Sequence, residues 1–288
     1  MKKYTTRILL AAIFLSVSCL ATAQSDSTSV PYGNNPAAGH YVKVKGATLY
    51  YEEYGQGTPM LMIHGGLSSP ADFSKNIPVL EKHFRVIAVD SRGYAKSSND
   101  LDSLSYELLT DDMVQLLDKL HIDSTYVVGF SDGGVVGLYI TAKYPSRVIK
   151  AFVSGANYLV EGLVDNNFER NEMTPEKVKV DSMWIPMRKE YAKLNPNPDK
   201  FDTQIQLIRN MWLRNPYIPK DLLVTIHKPV FLLYGDRDAI KLEHGVEIYH
   251  LLPQETTQLC ILPNTYHSTF IENPEMVNML LMYYFKEK

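Results

Sequence analysis

Ser131, His267 and an aspartate within Gly235-Asp236-Arg237-Asp238 have the types and chain order that nucleophilic catalysis needs. Ser131 stands in Gly129-Phe130-Ser131-Asp132-Gly133-Gly134, directly after the apolar run Tyr126–Val128 and ahead of a helical pattern. Gly-x-Ser-x-Gly between a strand and a helix forms a sharp turn. It lifts the serine hydroxyl clear of the backbone and sets a helix N-terminus beneath it, where negative charge is stabilised. A serine hydroxyl needs an adjacent base. Of the eight histidines, His267 is the best placed, in Leu262-Pro263-Asn264-Thr265-Tyr266-His267 after the last strand pattern. In chains built on such an elbow the acid and then the histidine follow the serine. His64 precedes Gly65-Gly66 and is expected to shape its loop rather than carry protons. His244 and His250 fall on a helical pattern, and His40, His83, His121 and His227 stand in no motif. Asp238, three residues past Gly235, is the preferred orienting acid over Asp236, which is expected to fix the loop. The acid would hold the imidazole tautomer and stabilise the imidazolium.

The chemistry implied is acyl transfer from a small-molecule ester or amide, and its tetrahedral intermediate carries an oxyanion. The backbone N–H of Asp132, next after the nucleophile, is one expected donor. Gly66, in His64-Gly65-Gly66-Leu67, is the preferred second. No cofactor and no metal are expected: there is no His-Glu-x-x-His, no phosphate-cradling glycine loop followed by Lys-Ser or Lys-Thr, and no Gly-x-Gly-x-x-Gly.

The elements that must position these residues alternate. Apolar runs at Tyr41–Val44, Thr48–Tyr54, Met60–Ile63, Phe84–Val89, Tyr126–Val128, Val148–Val153, Val230–Tyr234 and Thr257–Leu262 read as strands. Several lack strict alternation, as suits strands covered on both faces. Leu104, Leu108, Leu109, Met113, Leu116, Leu117 and Leu120 recur at helical spacing, with Ser103 or Ser105 available as a cap. Gly133–Tyr144, Glu243–Leu252 and Pro274–Phe285 complete the helical patterns. Such alternation predicts an α/β fold with a mostly parallel sheet, whose ligands sit beyond the C-terminal strand ends. Each candidate residue lies at such an end. Residues 155–221 break the pattern and contain both tryptophans, Trp184 and Trp212. They are read as an inserted helical cap, with Trp184 and Trp212 roofing a substrate pocket. The alternative is a set of ordinary peripheral helices. The core would then comprise residues 39–154 and 222–288.

Residues 1–23 read as an export signal. Lys2, Lys3 and Arg7 precede a largely apolar run, and Ala21-Thr22-Ala23 has the small-x-small form of a cleavage site. A buried N-terminal helix is the alternative. The product would be periplasmic or secreted, with lipid anchoring through Cys19 a minor alternative. Residues 24–38, rich in Ser, Gly, Asn and Pro, read as a flexible segment. Cleavage removes three positive charges and takes the net charge from −3 to −6. It leaves Cys260 as the one cysteine, so an internal disulfide is excluded. An acidic chain without a basic cluster beyond its first residues does not suit a nucleic-acid groove. No second apolar run reaches membrane-spanning length.

Taken in order, Met62-Ile63-His64-Gly65-Gly66, Asp90-Ser91-Arg92-Gly93, Gly129–Gly134, Gly235–Asp238 and His267 resemble the α/β-hydrolase superfamily over roughly residues 45–286. The resemblance implies an eight-stranded, mostly parallel sheet with a cap after the sixth strand. Relatives that are haloalkane dehalogenases or epoxide hydrolases carry aspartate at the elbow, and Ser131 argues against both. The elbow is similar to that of valacyclovirase-like hydrolases of amino-acid esters. In that group the residue matching Asp132 binds a substrate ammonium; the other reading has Asp132 cap its helix or pair with a base. Leu67 and Tyr266 complete the expected substrate-binding set. Many relatives have glycine where this chain has Tyr266. A small carboxylic ester is the first substrate class. An aminopeptidase or amidase, drawing on Glu161, Asp165, Glu169 and Glu172 in the cap, is one alternative. A carbon–carbon bond hydrolase is another, and a non-catalytic ligand-binding protein is the most distant.

Overall fold

The structure, a computed structural model, describes residues 30–286. The export signal read over residues 1–23, with Cys19, lies outside them. Eight strands form one sheet in the order β1-β2-β4-β3-β5-β6-β7-β8. They are β1 (Gly39–Val44), β2 (Ala47–Tyr54), β3 (Pro59–Ile63), β4 (Arg85–Val89), β5 (Thr125–Phe130), β6 (Val148–Ser154), β7 (Val230–Gly235) and β8 (Thr257–Leu262). β2 pairs antiparallel with β1 and β4, and all other pairings are parallel.

Alternation along the inner strands separates two cores. Leu61 and Ile63 of β3 face one side with Val127 of β5 and Val153 of β6. Met60, Met62, Val128 and Phe152 face the other, against Phe73, Phe231 and Phe270. On the first side lie α1 (Tyr106–Lys119), whose Leu109, Met113, Leu116 and Leu117 are buried, and α2 (Asp132–Lys143). Ser105 caps α1 by accepting from the Leu108 N–H at 3.1 Å.

The stretch between β6 and β7 is helical. It holds a π-helical turn (Phe168–Glu172), α3 (Pro175–Val180), α4 (Trp184–Leu194) and α5 (Phe201–Trp212). Further on, α6 (Leu242–Leu251) precedes β8 and α7 (Pro274–Lys286) packs against the second core. The insertion is tied to the loop after β4 by Asn195 Nδ2, which donates to the Ala95 and Ser97 carbonyls at 3.0 and 2.9 Å.

Two local features depart from expectation. Four-residue helical turns at Pro70–Phe73 and Ile77–Leu80 link β3 to β4; they are too short to show a period. Residues 30–38, the described part of the expected flexible segment, are pinned. The buried Glu52 carboxylate accepts the N–H groups of Gly33 and Asn35, each at 2.7 Å, together with the Tyr50 and Tyr54 hydroxyls.

Candidate active site

Strand order brings the site together. β4 lies on one side of β3 and β5 on the other, so the chain reverses direction across the sheet at β3 and opens a crevice beyond its C-terminal end. Ile63 pairs with Gly129, so His64-Gly65-Gly66 leaves the sheet beside the turn that carries Ser131. That turn is strained: Ser131 has φ 54° and ψ −116°, a conformation that costs about 1–3 kcal/mol. It is also tight. A Cβ on Gly133 would fall 2.0 Å from the Ile63 carbonyl oxygen, so no larger residue fits.

Ser131 Oγ lies 2.8 Å from His267 Nε2, and His267 Nδ1 lies 2.6 Å from Asp238 Oδ1. The Asp238 side chain is fully buried. It also accepts the Ile240 N–H at 3.0 Å and the Gly235 N–H at 3.1 Å, which fixes its orientation. Asp236 instead accepts the Thr265 N–H at 3.0 Å and braces the loop carrying His267. Burial by itself would lower the His267 pKa. The Asp238 carboxylate, through its charge and hydrogen bond, reverses this with help from Asp132 and Glu272, and the pKa lies above the ordinary histidine value. In this line Nδ1–H donates to the carboxylate, and Nε2 is the acceptor for the serine proton.

His64 is buried away from this line. Its Nε2 accepts the Ser91 N–H at 3.0 Å, so Nδ1 carries the proton and donates to the Gly65 carbonyl at 2.6 Å. Burial drops its pKa to about 4. It therefore stays neutral and joins the loops after β3 and β4. His244 is likewise buried, stacked on Tyr158 with ring centroids 4.7 Å apart.

Asp132 opens α2, but its side chain does not cap that helix. Its Oδ1 accepts from the Tyr106 hydroxyl at 2.7 Å, Oδ2 from the Tyr94 hydroxyl at 3.3 Å, and both from Trp212 Nε1 at 2.9 Å. Burial raises its pKa, and these three neutral donors with the nearby His267 partly offset the rise. Nothing in the sequence singles out Tyr94 or Tyr106, since a tyrosine far along the chain carries no local sign that it faces a carboxylate. Trp212 is drawn to the site: a Cβ on Gly66 would meet its Cζ2 at 2.2 Å and Asp132 Oδ2 at 2.6 Å. Gly66, Asp132 and Trp212 thus share one corner beside Ser131. Leu67 follows with φ 55° and packs its side chain on the first core. Tyr266 is half-buried, its ring centroid 5.6 Å from the Arg237 guanidinium.

Trp184 is not part of this site. It is fully buried within the insertion, packed with Phe168 and Phe201, and its Nε1 donates to the Glu172 carbonyl at 3.2 Å. The packed helices of the insertion need an apolar centre of their own, and Trp184 supplies it. The insertion's acidic residues also separate. Glu161 is exposed and accepts from Asn215, and Glu172 lies 3.6 Å from Lys177. Asp165 accepts the Asn167 N–H at 3.0 Å. Glu169 Oε2 is buried without a hydrogen-bond partner, and burial followed by the charges of Asp165 and Asp132 raises its pKa. Among the described residues, no group of three or more His, Cys, Asp or Glu is arranged to hold a metal ion. No described helix is long and apolar enough to cross a membrane.

Comparison with known proteins places this geometry. A family model described as the alpha/beta hydrolase fold matches residues 58–274. The human protein named serine hydrolase BPHL is 26% identical over 250 residues, 83% of each chain. The 2-hydroxy-6-oxo-6-(2'-aminophenyl)hexa-2,4-dienoic acid hydrolase of Metapseudomonas resinovorans is 24% identical over 258 residues, covering 82% of this chain and 86% of its own. A structure from work on carboxylesterases of Nitrososphaera gargenis superimposes with a TM-score of 0.70 at 17% identity, over 85% of this chain and 97% of that one, and shares its fold.

Proposed function

We propose that the chain, which belongs to the α/β-hydrolase fold family, is a serine hydrolase that cleaves a small carboxylic ester through an acyl-enzyme on Ser131. The observation that carries this reading is the unbroken line from Ser131 Oγ through His267 to the buried Asp238, with contacts of 2.8 and 2.6 Å. Ser131 attacks the carbonyl carbon while His267 Nε2 takes its proton. Asp238 stabilises the imidazolium that results. The N–H groups of Gly66 and Asp132 receive the oxyanion. His267 then protonates the departing alcohol, and water cleaves the acyl-enzyme by the same route. The export signal read over residues 1–23 sets this activity outside the cytoplasm.

A second reading is favoured by the charge of the corner beside Ser131. Asp132 there is solvated by neutral donors alone, and a buried carboxylate next to an oxyanion hole opposes the anionic transition state. A substrate ammonium would balance it, so amino-acid esters or amides with a free amino group are the second substrate class.

Purified protein is tested against p-nitrophenyl esters of short acids and against amino-acid esters and amides, beside S131A. A fluorophosphonate probe is located by mass spectrometry. Turnover lost in S131A, with the adduct on Ser131, supports the serine mechanism; turnover retained in S131A refutes it. A preference for free-amino substrates that disappears in D132N selects the second class. Folded protein with neither turnover nor adduct points to ligand binding without catalysis.

A further inference from the structure

His267 must reach Ser131 across the sheet. The two residues leave β8 and β5, which are separated by β6 and β7. That is three strand spacings, about 14 Å. The loop after β8 therefore lies down over the ends of the intervening strands. It passes so close to the end of β7 that a Cβ on Gly235 would sit 2.1 Å from the Thr265 carbonyl oxygen. Backbone bonds of the loop to Asp236 and Arg237 hold only its near end.

The far end is held by a buried pair of hydroxyls. Ser154, the last residue of β6, and Thr269, two residues past His267, are both fully buried, with Oγ and Oγ1 2.8 Å apart. Each also touches one member of the line directly. The Ser154 carbonyl accepts the Ser131 N–H at 2.8 Å, and the Thr269 N–H donates to the His267 carbonyl at 2.9 Å. Apolar rings lie beside them: Phe270, next in the chain to Thr269, packs on both Phe130 and Phe152. A lone hydroxyl there would lose its partner without gaining water.

We propose that the Ser154–Thr269 hydroxyl bridge is a positioning device that sets the distance between Ser131 and His267. The proposal rests on the serine-hydrolase reading for its kinetic consequence, though not for its geometry. The two residues touch no reacting atom; they join the turn that holds the nucleophile to the turn that holds the base.

The experiment compares wild type with Ser154→Ala, Thr269→Val, the double variant, and Thr269→Ser, which keeps the hydroxyl. Ester kcat and KM and the fluorophosphonate labelling rate are measured on protein shown by calorimetry to be folded. The proton between His267 and Asp238 is followed as a downfield NMR resonance. Each single loss of hydroxyl is expected to lower kcat and labelling about tenfold with KM within twofold. The double variant should fall no further, because one bridge is lost in each case. Thr269→Ser should retain at least half of wild-type kcat, and the resonance should shift or broaden in the bridge-less variants alone. Effects that multiply to about 100-fold in the double variant overturn the proposal. So does wild-type kcat with an unmoved resonance. If wild type itself carries no adduct on Ser131, the serine reading fails, and the resonance still decides whether the bridge positions His267.

Discussion

Gly155 is the position where a single methyl group tests the catalytic geometry most directly. It follows β6 with φ +62°, and a Cβ there would lie 2.7 Å from His267 Cε1 and 3.0 Å from Nδ1. Gly155→Ala therefore does two separable things. An alanine held in the left-handed region costs about 1–2 kcal/mol of stability. For a chain of this size that is a fall in Tm of roughly 2–4 °C per kcal/mol. Carbon atoms rest comfortably at about 3.5–4.0 Å, so the imidazole must also retreat by roughly 0.8 Å. It is held at 2.6 Å by Asp238 and 2.8 Å by Ser131, with the Phe130 ring centroid 5.2 Å away. Retreat lengthens at least one of those bonds. Misplacement by about 1 Å costs on the order of 100-fold in rate, or about 2.7 kcal/mol of barrier. The assay is kcat and the fluorophosphonate labelling rate of G155A beside wild type, with Tm measured in parallel. A drop near 100-fold in both rates with KM little changed is expected. Wild-type rates in a protein that has lost only the backbone-strain stability would refute the reasoning: His267 would then either not sit against Gly155 or not act on Ser131.

Three further outcomes are expected. Because the His267 pKa lies above 6.5 and the proposed mechanism uses the neutral imidazole as base, kcat/KM should fall as pH drops through a value above 6.5. Asp132→Asn removes a neighbouring negative charge and should move that limb to lower pH; a limb below 6.5 in wild type counts against the electrostatic account. Trp212→Phe deletes the donor that serves both oxygens of Asp132 at 2.9 Å and should lower the stability measured in urea by about 1–3 kcal/mol. An unchanged midpoint would show that Asp132 does not depend on it. Arg92 and Asp112 form a pair with both side chains fully buried, at 2.6 and 2.8 Å. Asp112→Ala strands the guanidinium and should cost about 3–5 kcal/mol, read from the urea midpoint; a loss under 1 kcal/mol would contradict that burial.

Much of the scaffold was legible along the chain because burial on both faces writes itself as apolar runs. Each of the eight expected strands appears, its ends within two residues of expectation, and the cap helices fall in the stretch where those runs stop. The elbow around Ser131 was equally readable, since its glycines and its place between a strand and a helix are local properties. In the sequence, spacing alone favours Asp238 over Asp236. The structure separates the two by what each accepts: the imidazole and two backbone N–H groups for one, a loop amide for the other.

Pairings between distant segments were decided only by the tertiary structure. Trp184 and Trp212 lie in one segment with similar neighbours, yet one fills the cap's interior and the other crosses to Asp132. Nothing local marks Tyr94 and Tyr106 as donors to that carboxylate, or Ser154 and Thr269 as partners 115 residues apart. The physical reason is that periodicity and turn chemistry report how each segment lies against water and its own backbone. Which side chains finally touch depends on the order in which the strands join the sheet, and that order is set by the packing of the whole chain.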